Sequence, residues 1–446
     1  MSTAFEDNTV EEIIELPPDY VFTIPSNIKK IHFDNKTIVI DSSRSVYITL
    51  FNNEQENIFN LIENSYSILE LTKKYTEENM NLQYVIMAIM NTDLFNIAGS
   101  KLELPTVNDS LFIYLTDLCN LSCPHCYRNS TELSKETLSL ENWIKILDNF
   151  KSCGGKEVTI SGGEPLLYKD FIELCRYIKS LHLSLTVLSN GTLWQKYKNK
   201  DDCINVIKNI DEIQLSIDGY DESSNQIMRG NNNFEITRSN LNWLLSLDLN
   251  LSIAITPSPI FLKSEEEKEK LDKFIIKLSE KMTIRLTHKI IDNNSILLTE
   301  NEEKEYFEFI SNMEDKIYPN GKLKRWVSHY FSDTPKENNC GWGNLAISST
   351  GDVYTCNRLD AAIKIGNAMT DDMSYLVEQG QKNREITSVD SIEPCKYCAV
   401  RYLCNGGCRI DDFIEISPTP KRLCSEQKLN NIYKNMINAS KYIYDL

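Results

Sequence analysis

The chain has 446 residues, 41% of them hydrophobic, which allows a large core and two or three domains. With 64 acidic against 47 basic side chains its formal net charge is −17, which excludes nucleic-acid binding by phosphate neutralisation. No apolar run is long enough for a transmembrane helix, and the acidic start lacks a basic-then-apolar export signal, so no membrane contact and a cytoplasmic location are expected.

From about residue 20 to 97, strand-like runs at 31–33, 37–41 and 45–50 precede helical patterns at 54–62, 67–75 and 82–91. Asp34-Asn35 supplies the first turn. This is the order of a small winged helix-turn-helix. Residues 21–100 carry six basic and nine acidic side chains, and the third helix has no basic residue to read a DNA groove.

Strands and helices then alternate. Strand patterns fall at 111–116, 157–160, 184–189, 212–217, 249–256 and 283–287. Helical patterns fall at 140–151, 169–180, 204–210, 235–245 and 265–281. The fold class expected is α/β, a partial (β/α)6 barrel with a parallel sheet, helices outside and chemistry at the C-terminal strand ends. Beyond about residue 338, Cys and Gly become dense and periodicity fades, as in a metal-stapled domain, until a terminal helix at about 427–443. The boundaries read from these changes are 1–103, 104–325 and 326–446.

Thirteen cysteines in a cytosolic setting favour metal or redox chemistry over disulfides. Three isolated ones, Cys153, Cys175 and Cys203, read as buried structural thiols. After the first barrel strand stand Cys119, Cys123 and Cys126, spaced C-x3-C-x2-C and followed by Tyr127. Three thiolates on one loop can ligate three irons of a 4Fe–4S cluster and leave the fourth open. A zinc site would need a fourth local ligand, and His125 is wedged between Pro124 and Cys126.

This loop resembles that of the radical S-adenosylmethionine superfamily. Gly162, Gly163, Glu164 and Pro165 follow the second strand as that family's methionine-binding motif does. Ser189 and Asn190 after the third strand, and Ser216 and Asp218 after the fourth, resemble its ribose and carboxylate contacts. Each could instead be a strand-end cap. Arg229 resembles the partner of the methionine carboxylate, with a solvated surface arginine as the alternative, and Tyr127 resembles the adenine-stacking aromatic. The resemblance implies reductive cleavage of S-adenosylmethionine to a 5′-deoxyadenosyl radical that abstracts a substrate hydrogen.

Cys340, Cys356, Cys395, Cys398, Cys404, Cys408 and Cys424 match the SPASM extension, which implies two auxiliary 4Fe–4S clusters and three clusters in all. In that family the distal cluster takes the positions of Cys395, Cys398, Cys404 and Cys424. The proximal cluster takes those of Cys340, Cys356 and Cys408. Residues 328–339 hold no further Cys, so the proximal cluster is expected to keep an open iron for a substrate thiolate.

The N-terminal order resembles the peptide-recognition element of ribosomal-peptide (RiPP) maturases. A leader peptide would add as a strand between Ser45 and Phe51 and pack on the helix between Leu82 and Asn91. The reading is thus a maturase that forms a sulfur-to-carbon thioether, as sactipeptide maturases of the subtilosin type do, with an external flavodoxin- or ferredoxin-type reductant. Carbon–carbon crosslinking or other oxidative side-chain processing is the alternative chemistry. An iron–sulfur electron carrier is the alternative class, against which the cofactor-pocket motifs speak.

Overall fold

The computed structural model describes residues 16–92, 94, 109–126, 128, 137–290, 296–318, 321–330, 341–415 and 421–445. Tyr127 and Cys340 therefore lie outside the described residues. Three antiparallel strands come first, β1 (Ile28–Phe33), β2 (Lys36–Asp41) and β3 (Val46–Leu50), in spatial order β1-β2-β3. Asp34 and Asn35 both have positive φ, 51° and 55°, as a two-residue hairpin turn requires. Helices α1 (Asn53–Glu63), α2 (Ile68–Tyr75) and α3 (Met80–Asn91) follow, each N-capped by an Asn or Ser side chain. The expected order of three strands and three helices is present. Val39, Val46, Ile48 and Leu50 pack with Ile58, Phe59, Leu82 and Val85 of the helices. The opposite face, Ile38, Ile40 and Tyr47, packs with residues from the far end of the chain. A sheet covered on both sides explains why these strands read as apolar runs.

Among the described residues the main sheet has nine strands. Six parallel ones, β4 (Ser110–Tyr114), β5 (Glu157–Ser161), β6 (Ser184–Ser189), β7 (Glu212–Ser216), β8 (Leu251–Ile255) and β9 (Thr283–Leu286), lie side by side in chain order. Between them run α4 (Leu140–Ser152), α5 (Phe171–Ser180), α6 (Asp201–Ile207), α7 (Glu222–Arg229), α8 (Phe234–Leu245) and α9 (Glu265–Ser279). The expected strands and helices are here with ends shifted by at most three residues. Helix α7 was not anticipated, because its sequence is mostly polar. Asp221 caps it with a bond to the Ser224 amide at 2.8 Å, and Gly230 at φ 81° ends it.

Two more helices, α10 (Glu300–Ile317) and α11 (Gly321–Tyr330), lead to three short strands, β10 (Leu345–Ile347), β11 (Asp352–Tyr354) and β12 (Lys364–Asn367). They continue the main sheet: β10 pairs parallel with β4, and β11 and β12 add antiparallel at the edge. The cysteine-rich region was expected to stand on metal staples. In addition, Leu345, Ile347 and Val353, with Met373 and Leu376 of α12 (Met373–Ile386), belong to the barrel's own core. The chain ends with α13 (Arg401–Cys404), the hairpin β13 (Phe413–Glu415) and β14 (Lys421–Arg422), and α14 (Glu426–Tyr444). Helices α11 and α14 lay Trp326, Tyr330, Met436 and Ile437 against the N-terminal sheet.

Candidate functional site

The loop from Asp117 to Cys126 leaves β4 at its C-terminal end and is laced to the loop after β5. The Gly163 amide donates to the Thr116 carbonyl at 2.7 Å, and the Glu164 amide to the Leu118 carbonyl at 2.8 Å. A Cβ on Gly162 would lie 2.6 Å from the Thr116 oxygen, and one on Gly163 2.3 Å from the Leu118 oxygen. The glycine pair is therefore required for close approach of these two backbones.

The Glu164 side chain is fully buried. It accepts from Ser189 Oγ at 2.9 Å, the Asn190 amide at 2.8 Å and the Leu166 amide at 3.2 Å. Burial outweighs these donors and pushes its carboxyl up to about 7. Ser189 also receives Trp194 Nε1 at 3.1 Å. Asn190 reaches back to the thiol loop, with Nδ2 2.9 Å from Asn120 Oδ1 and 3.9 Å from Cys119 Sγ. One network thus joins the residues picked after the second and third barrel strands to the first cysteine.

A second network stands at the end of β7. Asp218 is fully buried and accepts from Arg229 Nε at 2.5 Å and from the Thr256 amide at 2.7 Å. His125 Nε2 is 3.5 Å from the same carboxylate. Arg229 ends α7 with its side chain mostly buried, which removes the surface alternative, and its Nη1 is 4.0 Å from Cys123 Sγ. Burial pushes the Cys123 thiol up to about 11 against the opposing charge of Arg229. No side-chain partner of Ser216 is recorded among the described residues.

Sequence reading missed a third network, which ties this site to the cysteine-rich region. Asp117 accepts from Ser349 Oγ at 2.7 Å across 232 positions and is also bonded by Arg128. The Arg128 guanidinium sits 4.3 Å from the centroid of Tyr114, whose hydroxyl donates to the carbonyl of Asn357, next to Cys356. No local spacing signals it.

At the far end Cys395 and Cys398 lie within electrostatic reach of each other and of both Cys404 and Cys424. Arg422 Nη1 is 3.9 Å from Cys395 Sγ and 3.8 Å from Cys424 Sγ. Cys408 is bonded separately: its amide donates to Asp412 Oδ2 at 2.9 Å, and its sulfur accepts the Asp411 amide at 3.5 Å. Arg358 Nη1, 3.2 Å from Asp411 Oδ1, connects the segments of Cys356 and Cys408. A tetrahedral zinc ion would draw its thiolates to within about 3.8 Å of each other. Among the described residues no three or more side chains converge in that way to hold a single ion. An all-thiol donor set faced by a buried guanidinium suits an iron–sulfur cluster. Of the isolated thiols Cys175 is fully buried, as expected, whereas Cys153 and Cys203 are only partly buried where they pack against the core. No described helix is long and apolar enough to cross a membrane.

Residues 113–275 match the family model of the radical SAM superfamily, and residues 339–399 match the SPASM iron-sulfur cluster-binding domain. The sporulation killing factor maturation protein SkfB of Bacillus subtilis is 31% identical over 149 residues, which are 33% of this chain and 35% of that protein. The chain thus spans about a third of that relative. The PqqA peptide cyclase of Bradyrhizobium diazoefficiens is 22% identical over 323 residues, covering 68% of this chain and 82% of that one. The crystal structure of SuiB from Streptococcus suis superposes with a TM-score of 0.52 at 17% identity, covering 90% of this chain and 100% of that one. At that identity the likeness speaks for the fold alone.

Proposed function

Because the chain is a radical S-adenosylmethionine protein with a SPASM iron–sulfur domain, we propose that it matures a ribosomally made precursor peptide by joining a cysteine sulfur to a carbon of another residue. The observation that carries this is one continuous sheet presenting a thiol loop, a buried strand-end carboxylate network and the start of a second cysteine array. SkfB and the PqqA cyclase, whose names record a maturation protein and a peptide cyclase, support a peptide as substrate.

When bound, S-adenosylmethionine on a 4Fe–4S cluster supplies a carbon-centred radical able to take hydrogen from an unactivated carbon. The chain's own part is to hold and orient. Cys119, Cys123 and Cys126 ligate the cluster. Glu164, fixed by Ser189 and Asn190, offers a carboxylate to the cofactor's amino group, while Gly162, Gly163 and Pro165 shape the turn that carries it. Arg229, oriented by Asp218, faces the cofactor's carboxylate. Ser216 and Tyr127 complete this proposed set.

Cys395, Cys398, Cys404 and Cys424 form one auxiliary ligand set, and Cys340, Cys356 and Cys408 the other. With no further Cys at 328–339, the second set leaves a place for the peptide's own cysteine. Strand β3 ends its sheet, and its edge is proposed to receive the leader of the precursor beside α3. The Thr49 carbonyl of that strand accepts from the Tyr84 hydroxyl of α3 at 2.5 Å.

Carbon–carbon crosslinking is the second reading, and the longer alignment, with a protein named a peptide cyclase, is compatible with either kind of ring closure. Mass spectrometry of the treated precursor decides between them. A thioether removes two hydrogens and one alkylatable thiol, and it dies with a Cys-to-Ser precursor. A carbon–carbon bond removes two hydrogens and leaves every thiol free.

A further inference from the structure

Arg422 is buried, 6% exposed, on the short strand β14. Its Nη1 touches the sulfurs of Cys395 and Cys424, and Cys404 lies within its electrostatic reach. Its Nε is buried with no hydrogen-bond partner among the described residues. Asp412 shares the crevice over Gly407 with it, but that carboxylate is committed to the Cys408 amide and to Lys428. No ion pair between Arg422 and a carboxylate is present among the described residues.

A guanidinium cannot shed its proton, and a buried one without a counter-charge costs several kcal/mol. Neutral thiols do not repay that cost. Thiolates around an iron–sulfur core, dianionic as a unit, do. Two other arginines near ligand cysteines have carboxylate partners, whereas Arg409, beside Cys408, spends its guanidinium on the carbonyls of Asn405, Gly407 and Thr387. Arg229, 4.0 Å from Cys123 Sγ, is held by Asp218 at 2.5 Å, and Arg358 is held by Asp360 and Asp411. Reduction adds a negative charge to a cluster. An uncompensated cation against its sulfurs therefore favours the reduced form, and hydrogen bonds to the sulfurs act in the same direction.

We propose that Arg422 raises the reduction potential of the cluster held by Cys395, Cys398, Cys404 and Cys424, making it the site where an electron rests most readily. This rests on the reading of those four thiols as cluster ligands. The balanced arginine at Cys123 leaves the radical-forming cluster without that lift.

The test is a redox titration of the anaerobically reconstituted full chain, followed by electron paramagnetic resonance with iron counted in parallel. The distal signal is identified as the one lost in Cys424→Ala; if no signal is lost there, the ligand reading itself fails. Arg422→Met should lower the potential of that signal alone, shifting its one-electron equilibrium at least tenfold, or about 59 mV. Arg422→Lys, which keeps the charge, should stay near the parent. Should the Met variant lose its distal iron, the proposal still requires the Lys variant to keep both iron and potential. A Met variant with full iron and an unmoved potential overturns it. A Lys variant that loses iron or shifts as far as the Met variant overturns it too.

Discussion

Glu164 sits in the chain's first network as a carboxyl held near 7 by burial despite three donors. Its folded value lies above the ordinary carboxylate value, so the stability it contributes to the unliganded chain is present below that ordinary value. It is lost as pH rises through about 7. A cationic amine needs the ionised form, so S-adenosylmethionine should bind more tightly as pH rises through that range. Glu164→Gln should flatten the dependence and weaken binding roughly 10- to 100-fold, the scale of a charge-assisted hydrogen bond. Equilibrium dialysis on either side of neutrality reads both effects. Gly163→Ala forces a Cβ into the Leu118 carbonyl. Overpacking of that kind costs about 1–3 kcal/mol, and it should appear as a lower melting temperature with selective loss of iron from the first cysteine set. The Gly-Gly-Glu turn and the thiol spacings were legible because each is a local pattern. The burial of Arg229 was not, because polar α7 gave no apolar period. Arg422 was hidden because nothing local shows that it is buried or that it also meets Cys395, 27 positions away.

At the scale of elements, the strands and helices with a clean period were legible to within a few residues. The three-residue strands β10 and β11 were not, since three residues cannot display an alternation. The pairing of β10 with β4, and of β11 with β10, is long-range information that welds the cysteine array to the barrel. The N-terminal sheet offers a sharp test of packing on its outer face. Tyr47 is fully buried between β2 and α11, its ring edge-on to Tyr330 at 5.0 Å, and its hydroxyl has no partner among the described residues. Tyr47→Phe should be neutral or stabilise the chain by about 1 kcal/mol, since it removes an unsatisfied buried polar group. Tyr47→Ala should cost about 3–5 kcal/mol. Chemical denaturation of the two variants checks the contrast. Equal losses in both would show that the hydroxyl has a partner.

Across the whole molecule, the N-terminal unit does more than a tether would. Ile38, Ile40 and Tyr47 share one core with Trp326, Tyr330, Val400, Leu403, Met436 and Ile437, the last four of which flank or follow Cys398, Cys404 and Cys424. Deleting residues 1–108 should therefore lower the melting temperature and the iron retained by the distal set, alongside any loss of peptide modification. A truncated chain with full iron and unchanged stability would make the unit a mere appendage. The central claim is that the loop of Cys119, Cys123 and Cys126 is the seat of radical formation on a peptide substrate. The direct measurement is release of 5′-deoxyadenosine from S-adenosylmethionine by the reconstituted, reduced chain, compared with the chain in which all three cysteines are alanine. The account predicts release by the parent, stimulated by the precursor peptide, and none by the triple variant. Undiminished cleavage in the triple variant would contradict it.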